Sequence, residues 1–170
     1  MGVAGGRASR GGNDPYQRGL GLLVRREYSR RDLARRLVAR GFDSPEAEAA
    51  VDRLAGQGYQ DDRRFSEAFA RDRAAAGYGP VRIRAELSRH GLGEDDITAA
   101  LAACEADWAG RARELVARRV RLGELADPGR CRKWVEFLLR RGFDQDQAWG
   151  AVRAVAAEEG VTPPGTEGVG

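Results

Sequence analysis

A repeated spacing of glycine and apolar residues is the feature that most limits how this chain can fold. Gly41, Gly91 and Gly142 follow one another at intervals of 50 and 51 residues. Each has large apolar residues four and eight positions before it and one directly after it. A period of this length is typical of repeat proteins, in which each unit buries its apolar face partly against its neighbours. The repeated apolar positions are Leu33, Leu37 and Phe42, then Ile83, Leu87 and Leu92, then Trp134, Leu138 and Phe143.

Capping signals predict three helices in the first repeat. Ser29, with Asp32 three residues later, forms a capping-box pattern at the start of the second helix. Gly41 supplies the left-handed conformation that ends this helix. We expect Ser44 to cap the third helix, with Pro45 at its first position. The apolar face of the first helix is formed by Tyr16, Leu20, Leu23 and Val24, spaced at i, i+4, i+7 and i+8.

The second and third repeats carry the same kinds of signal. We expect Asp62 to cap the first helix of the second repeat, and Gly79-Pro80 to open the next one. In the third repeat, a longer first helix is expected to carry Val120 on its apolar face. Asp144 is expected to cap the last helix.

These patterns predict an all-α fold with nine helices and no strand. The helices form three tandem three-helix (helix-turn-helix-like) repeats in an elongated, curved array. An apolar core running through all three repeats favours a monomer. The Gly-rich ends have almost no large apolar residue, so we expect them to be disordered. The predicted boundaries are 1–15 for the N-terminal tail, 16–60, 61–107 and 108–159 for the repeats, and 160–170 for the C-terminal tail.

The composition argues against several classes of protein. No apolar run approaches the roughly 18 residues of a membrane span, and the N-terminus lacks the apolar segment of a secretory signal, so we expect a cytoplasmic protein. One histidine, His90, and two isolated cysteines, Cys104 and Cys131, do not form a metal site. Asp61 and Asp62 are typical of helix caps rather than of a catalytic pair. We therefore expect no enzymatic activity, no metal and no cofactor.

Arginine clusters supply the candidate binding residues. Of the 29 basic residues only Lys133 is lysine, and the net charge is +3 over 16–60, −3 over 61–107 and +3 over 108–159. This alternation suits a large, charged, extended partner. Charge alone fits either phosphates or acidic protein, and a solvated face that offsets nearby acids is the alternative. The candidate residues are Arg25, Arg26, Arg30, Arg31, Arg35, Arg36, Arg82, Arg84, Arg118, Arg119, Arg121, Arg130 and Arg132.

The central part of the chain resembles the RecX family, and the resemblance extends over roughly residues 16–155. The sequence departs from the family's pattern at Gln60, where an apolar residue is expected to join the first two repeats. The matching residues are Tyr59, Asp61, Asp62, Phe65, Arg73, Gly77, Gly79, Ile83, Glu86, Leu87, Gly91 and Leu92, preceded by Ser29, Leu33, Leu37, Gly41 and Phe42.

The resemblance implies a non-enzymatic regulator of the RecA recombinase. Proteins of this family bind the RecA filament on single-stranded DNA and lower its ATP hydrolysis, strand exchange and coprotease activity. The partners it implies are therefore the RecA filament and single-stranded DNA, contacted directly or through RecA. The rival hypothesis is a helical repeat protein that binds nucleic acid independently of RecA, although no helix presents a clear set of base-reading side chains.

Overall fold

The computed structural model describes residues 14–104 and 106–161. Within these ranges the chain forms nine α-helices and one short 3-10 helix, with no strand. The predicted all-α fold of three-helix groups is thereby confirmed. In chain order the helices are α1 (Pro15–Leu23), α2 (Arg30–Val38), α3 (Ser44–Gly56), α4 (Asp62–Ala75), α5 (Pro80–Arg89), α6 (Glu94–Ala103), α7 (Trp108–Ala117), the 3-10 helix (Glu124–Ala126), α8 (Pro128–Arg141) and α9 (Gln145–Glu158).

The predicted tails fall almost entirely on residues outside the described ranges. Residues 1–13 and 162–170 are not described. At the N-terminal side, α1 begins at Pro15, one residue before the predicted start of the first repeat, because the Asp14 carboxylate accepts the Tyr16 N–H at 3.0 Å and caps the helix.

The helices form two compact units. The first unit contains the described residues up to Ala68 together with His90–Leu92, and the second contains Phe69–Arg89 together with the described residues from Gly93 onward.

In the first unit, α1 and α2 both pack on α3. Leu33 and Leu37 of α2 are fully buried, as the repeat pattern predicts. On α1 the prediction is partly wrong, because Val24 is 81% exposed and Leu22 is buried instead. The helix stops at Leu23, and Val24 therefore lies beyond its last turn. The buried residues of this core are Leu22, Tyr28, Leu33, Leu37, Phe42, Ala47, Ala50, Val51 and Leu54.

In the second unit, α7 and α8 pack on α9. The predicted longer first helix of the third repeat is wrong, since α7 has ten residues and ends before Val120. Val120 still packs against the core from the turn that follows. The 3-10 helix, which the sequence did not indicate, buries Leu125 completely. The other buried residues of this core are Ala112, Val116, Cys131, Val135, Leu138, Phe143, Ala148, Ala151, Val152, Val155 and Ala156.

Two of the predicted helix caps are corrected. Asp43, not Ser44, caps α3, since its carboxylate accepts the Glu46 N–H at 2.8 Å and Ser44 is already the first helical residue. Asp61, not Asp62, caps α4, since its Oδ1 accepts the backbone N–H groups of residues 63 and 64 at 2.8 and 3.0 Å. The residue that caps a helix is the one whose side chain reaches the unpaired N–H groups of the first turn, and here that residue lies one position before the predicted one.

Two cap residues are confirmed. Ser29 Oγ accepts the Asp32 N–H at 3.2 Å, which makes Ser29 the cap of α2, although the Asp32 carboxylate lies against His90 rather than completing a capping box. Asp144 caps α9 in a capping box with Gln147. The glycines that end α2, α5 and α8 have φ values of 94°, 88° and 89° at Gly41, Gly91 and Gly142. These left-handed conformations are the ones a helix-ending glycine supplies at low cost.

Candidate functional site

Helix α2 divides its arginines between two flanks. Its core positions, Leu33 and Leu37, are buried. Arg30, Arg31 and Arg35 line a groove with residues of α3, while Arg36 faces the other side. The two flanks differ in the carboxylates that accompany their arginines.

The α2–α3 groove has a volume of about 670 Å³. Its apolar part includes Val38, which is 41% exposed, together with Ala34, Ala39 and Val51. Acidic side chains share its rim with the three arginines, namely Glu48, Asp52 and Asp62. An apolar floor with charges of both signs around it fits a protein surface better than a uniform polyanion.

Arg30 and Arg35 of the groove have carboxylate partners within the first unit. The Arg30 guanidinium forms an ion pair with Asp52, and its backbone N–H donates to Asp62 Oδ1 at 2.7 Å. Arg35 lies 3.8 Å from the Asp32 carboxylate, with its own side chain 70% exposed. The stem of Arg31 passes close to Gly91, where an added β-carbon would lie 2.9 Å from Arg31 Cδ. Pairs as exposed as Arg30–Asp52 contribute little to stability, so a partner could compete for them.

The opposite flank carries five arginines, and we name Arg18, Arg25, Arg26, Arg36 and Arg40 the arginine cluster. The Arg26 and Arg36 guanidinium groups lie 4.4 and 5.0 Å from the centre of the Tyr28 ring. Arg18, Arg25 and Arg40 line a second cavity of about 280 Å³. Across the described ranges, none of these five side chains forms an ion pair with a carboxylate.

Sequence reasoning missed two members of the arginine cluster. Arg18 and Arg40 were not among the predicted binding residues. The available signal for Arg40 was its position four residues after Arg36, on the same helical face. Arg18 belongs to a different helix, so only the packing of α1 brings it to this surface.

The second unit places the remaining candidates in two groups. At the start of α5, Arg82 hydrogen-bonds Glu86 at 2.8 Å, which raises the pKa of the Arg82 guanidinium. Arg84 forms an ion pair with Glu94. Both arginines are therefore paired with a carboxylate, and Glu86 is shared with Arg73 at 2.7 Å.

The second group surrounds the 3-10 helix. Arg119, Arg121 and Arg130 line a cavity of about 600 Å³ together with Leu122, which is 89% exposed. Arg130 lies 3.7 Å from Glu124. Two further candidates satisfy local groups: Arg118 forms an ion pair with Glu114, and Arg132 Nε donates to the Pro128 carbonyl at 3.4 Å.

The residues considered for catalysis have structural partners. His90 Nδ1 lies 2.5 Å from Asp32 Oδ2, and its ring packs edge-on against Phe65 with centroids 5.2 Å apart. Asp61 and Asp62 both accept backbone N–H groups at helix starts. Among the described residues there is no cluster of three or more metal-ligating side chains. In the same ranges, no helix has the length and apolar character to cross a membrane.

The class that these features define is an all-helical protein of consecutive three-helix domains with arginine-rich surfaces. Three family models match it in order: the first three-helix domain of RecX over residues 16–54, the second over 61–101 and the third over 105–152. The chain therefore belongs to the RecX family.

Curated relatives agree with this assignment. The regulatory protein RecX of Xanthomonas oryzae pv. oryzae (strain MAFF 311018) is 51% identical over 139 residues, covering 82% of this chain and 87% of the relative. The regulatory protein RecX of Stenotrophomonas maltophilia (strain R551-3) is 50% identical over 139 residues, covering 82% and 85%. These relatives are named as regulatory proteins rather than as enzymes.

Two solved structures share the fold. A crystal structure of regulatory protein RecX has a TM-score of 0.66 and 24% identity, covering 85% of this chain and 70% of that one. RecX from Lactobacillus salivarius has a TM-score of 0.65 and 17% identity, covering 84% and 95%. At these identities the likeness concerns the fold.

Proposed function

We propose that the protein is a non-enzymatic regulator that binds the RecA filament on single-stranded DNA and inhibits its ATPase, strand exchange and coprotease activities. The observation that supports this most directly is membership of the RecX family across all three domains, with 51% identity to a curated regulatory protein over 139 aligned residues. The protein then acts by occupancy of the filament, as a monomer in the cytoplasm.

The α2–α3 groove is the surface that we assign to RecA. Its exposed apolar residue, Val38, gives a partner side chain a place to bury area. Arg31 and Arg35 on the rim offer guanidinium groups to carboxylates of the partner. The arginines around the 3-10 helix offer a second contact area in the second unit. Several weak contacts on one chain strengthen each other through their high effective concentration.

Charge reversal in the groove tests this assignment. In a RecA ATPase assay on single-stranded DNA, we expect Arg31→Glu combined with Arg35→Glu to weaken inhibition, because the groove would then repel acidic groups on RecA. The matched control is Lys133→Glu combined with Arg153→Glu, which changes the net charge equally at two exposed positions of the second unit. Far-UV circular dichroism checks that both variants stay helical. Full inhibition by the folded groove variant would refute this assignment of the groove.

The stoichiometry of inhibition tells how the filament is affected. Inhibition at far less than one copy per RecA is expected if the protein caps filament ends or promotes disassembly. Inhibition that needs about one copy per few RecA subunits is expected if it coats the filament. A titration of the wild-type protein in the same ATPase assay separates these two modes.

A further inference from the structure

The turn that follows α8 is covered by the chain itself. The carbonyls of Arg141 and Gly142 accept the N–H groups of Gly79 at 2.9 Å and Val81 at 3.0 Å. The Arg141 guanidinium donates to the Ala76 carbonyl at 3.2 Å. In this repeat, the arginine before the helix-ending glycine is therefore used to hold the second unit together.

The corresponding turn after α2 is not covered by any of the residues that the structure describes. Arg40 and Gly41 occupy the same positions in the repeat, and both are exposed. A β-carbon at Gly41 would meet no atom of these residues within 4 Å. Among the described residues, the Arg40 guanidinium donates one hydrogen bond, to the Arg36 carbonyl at 3.2 Å, and its backbone N–H donates to the Leu37 carbonyl at 2.9 Å. The Arg141 guanidinium bonds a carbonyl of its own unit, whereas the guanidinium of Arg40, at the same position in the repeat, is exposed and can contact a partner.

The neighbouring guanidinium groups are pre-positioned by Tyr28. This ring is 7% exposed and belongs to the first core, so its position is fixed by packing. Arg26 and Arg36 both lie within cation–π distance of it. A guanidinium held against a ring loses less freedom on binding and can still use its N–H groups and its outer face.

We propose that the arginine cluster is a direct binding site for the backbone of single-stranded nucleic acid. Arginine forks match phosphate oxygens, and flat guanidinium groups stack on unpaired bases. Within residues 14–104 and 106–161, no carboxylate forms an ion pair with the cluster, whereas the α2–α3 groove has Asp52 and Asp62 on its rim. The inference builds on the proposed function by giving the DNA of the filament its own contact on this chain, separate from the groove.

Binding of a fluorescent single-stranded oligonucleotide, followed by anisotropy over a salt series without RecA, tests the site. We compare the wild type with a triple variant, Arg18→Ala, Arg25→Ala and Arg40→Ala. On a plot of the logarithm of the binding constant against the logarithm of the salt concentration, each lost phosphate contact makes the negative slope shallower by about 0.7. Three lost contacts make it shallower by about 2. The same relation gives an affinity loss on the order of 100-fold at 0.1 M salt.

Two controls isolate the cluster from net charge and from folding. Arg113→Ala, Lys133→Ala and Arg153→Ala remove three exposed basic residues of the second unit and are expected to change binding far less. Replacing the three cluster arginines by lysine keeps the charges and is expected to retain most of the salt dependence. Circular dichroism confirms that each variant is folded.

Three results would overturn the proposal. The first is wild-type protein that does not bind the oligonucleotide without RecA. The second is a triple alanine variant that binds it as the wild type does. The third is a triple variant that keeps DNA binding and loses only RecA inhibition, which would make the cluster a contact for acidic protein. Because the anisotropy assay contains no RecA, the first two results are independent of the ATPase result for the groove variant.

Discussion

Asp62 caps the N-terminus of α2, although it lies 32 residues beyond the Arg30 N–H that it accepts. Its Oδ1 receives that N–H at 2.7 Å and the Gln60 amide at 2.8 Å. Gln60, only 4% exposed, also donates to the Tyr28 carbonyl at 3.3 Å. The polar residue that departs from the expected apolar pattern is therefore hydrogen-bonded, as a buried amide must be. Together these residues join the starts of α2 and α4 within the first unit.

Removal of Asp62 should cost more than removal of a local cap. We expect Asp62→Ala to lower the free energy of unfolding by about 2–3 kcal/mol, because it leaves the Arg30 N–H and the buried Gln60 amide without this acceptor. Asp61→Ala removes only the cap of α4 and should cost about 1 kcal/mol. Urea unfolding followed by circular dichroism measures both. An equal or larger loss for Asp61→Ala would contradict the role given to Asp62.

His90 and Asp32 form a second contact of this kind, and a double-mutant cycle tests it. Their side chains lie 2.5 Å apart, with 29% and 22% of their surfaces exposed. We expect His90→Ala and Asp32→Ala to couple by about 0.5–2 kcal/mol in urea unfolding, because each loses the same interaction. The comparison pair is Arg113 and Glu158, an ion pair at 2.5 Å whose side chains are 51% and 52% exposed. That pair should couple by less than about 1 kcal/mol, and the reverse order would show that His90 contributes only through packing.

Close backbone packing at Gly79 and Gly142 predicts large effects of very small substitutions. A β-carbon at Gly79 would overlap the Gly142 carbonyl, and one at Gly142 would overlap Arg82. We expect Gly79→Ala and Gly142→Ala each to destabilise the second unit by about 2–4 kcal/mol, since backbone atoms cannot move aside cheaply. Thermal unfolding measures the loss.

Two helical glycines with open surroundings serve as controls for these substitutions. At Gly21 and Gly150 an added β-carbon would meet none of the described residues within 4 Å. Both lie inside helices, so alanine should raise stability by about 0.5–1 kcal/mol. A loss of stability at Gly21 or Gly150, or none at Gly79, would show that the close contacts do not set the cost.

Local features of the fold could be predicted from the sequence because they depend on near neighbours. Leu33, Leu37 and Gly41 lie within one helix and its cap, so their spacing determines their roles. The arginines flanking these residues could be identified as candidates by the same reasoning.

Contacts between distant segments could not be predicted in this way. Asp62 resembles an ordinary cap of its own helix, and only the packing of the first unit brings it to α2. Likewise, nothing in the local pattern separates Arg36 from Arg35. They differ because Arg35 lies near Asp32 and Arg36 lies over Tyr28, which the fold decides. The binding roles of all these arginines stay predictions until the assays are made.

The two thiols provide a last test, which reports on the core of the second unit. Cys131 is 1% exposed and donates from Sγ to the Leu125 carbonyl at 3.1 Å, while Cys104 is half-buried.

Burial raises the pKa of both thiols. Arg71 and Arg111 partly oppose this increase at Cys104, and Asp127 adds to it at Cys131. A raised pKa means less reactive thiolate at a given pH, so labelling of both should be slow near pH 8 and accelerate at higher pH.

We expect Cys104 to react with a thiol reagent well before Cys131, and Cys131 to react only as the second unit unfolds. Cys104→Ser and Cys131→Ser variants assign the two rates, and guanidinium chloride gives the rate of the exposed thiols. If Cys131 reacted in the native protein as fast as Cys104, the 3-10 helix would have to open readily. In that case Leu125 would not be held in the core as its complete burial requires.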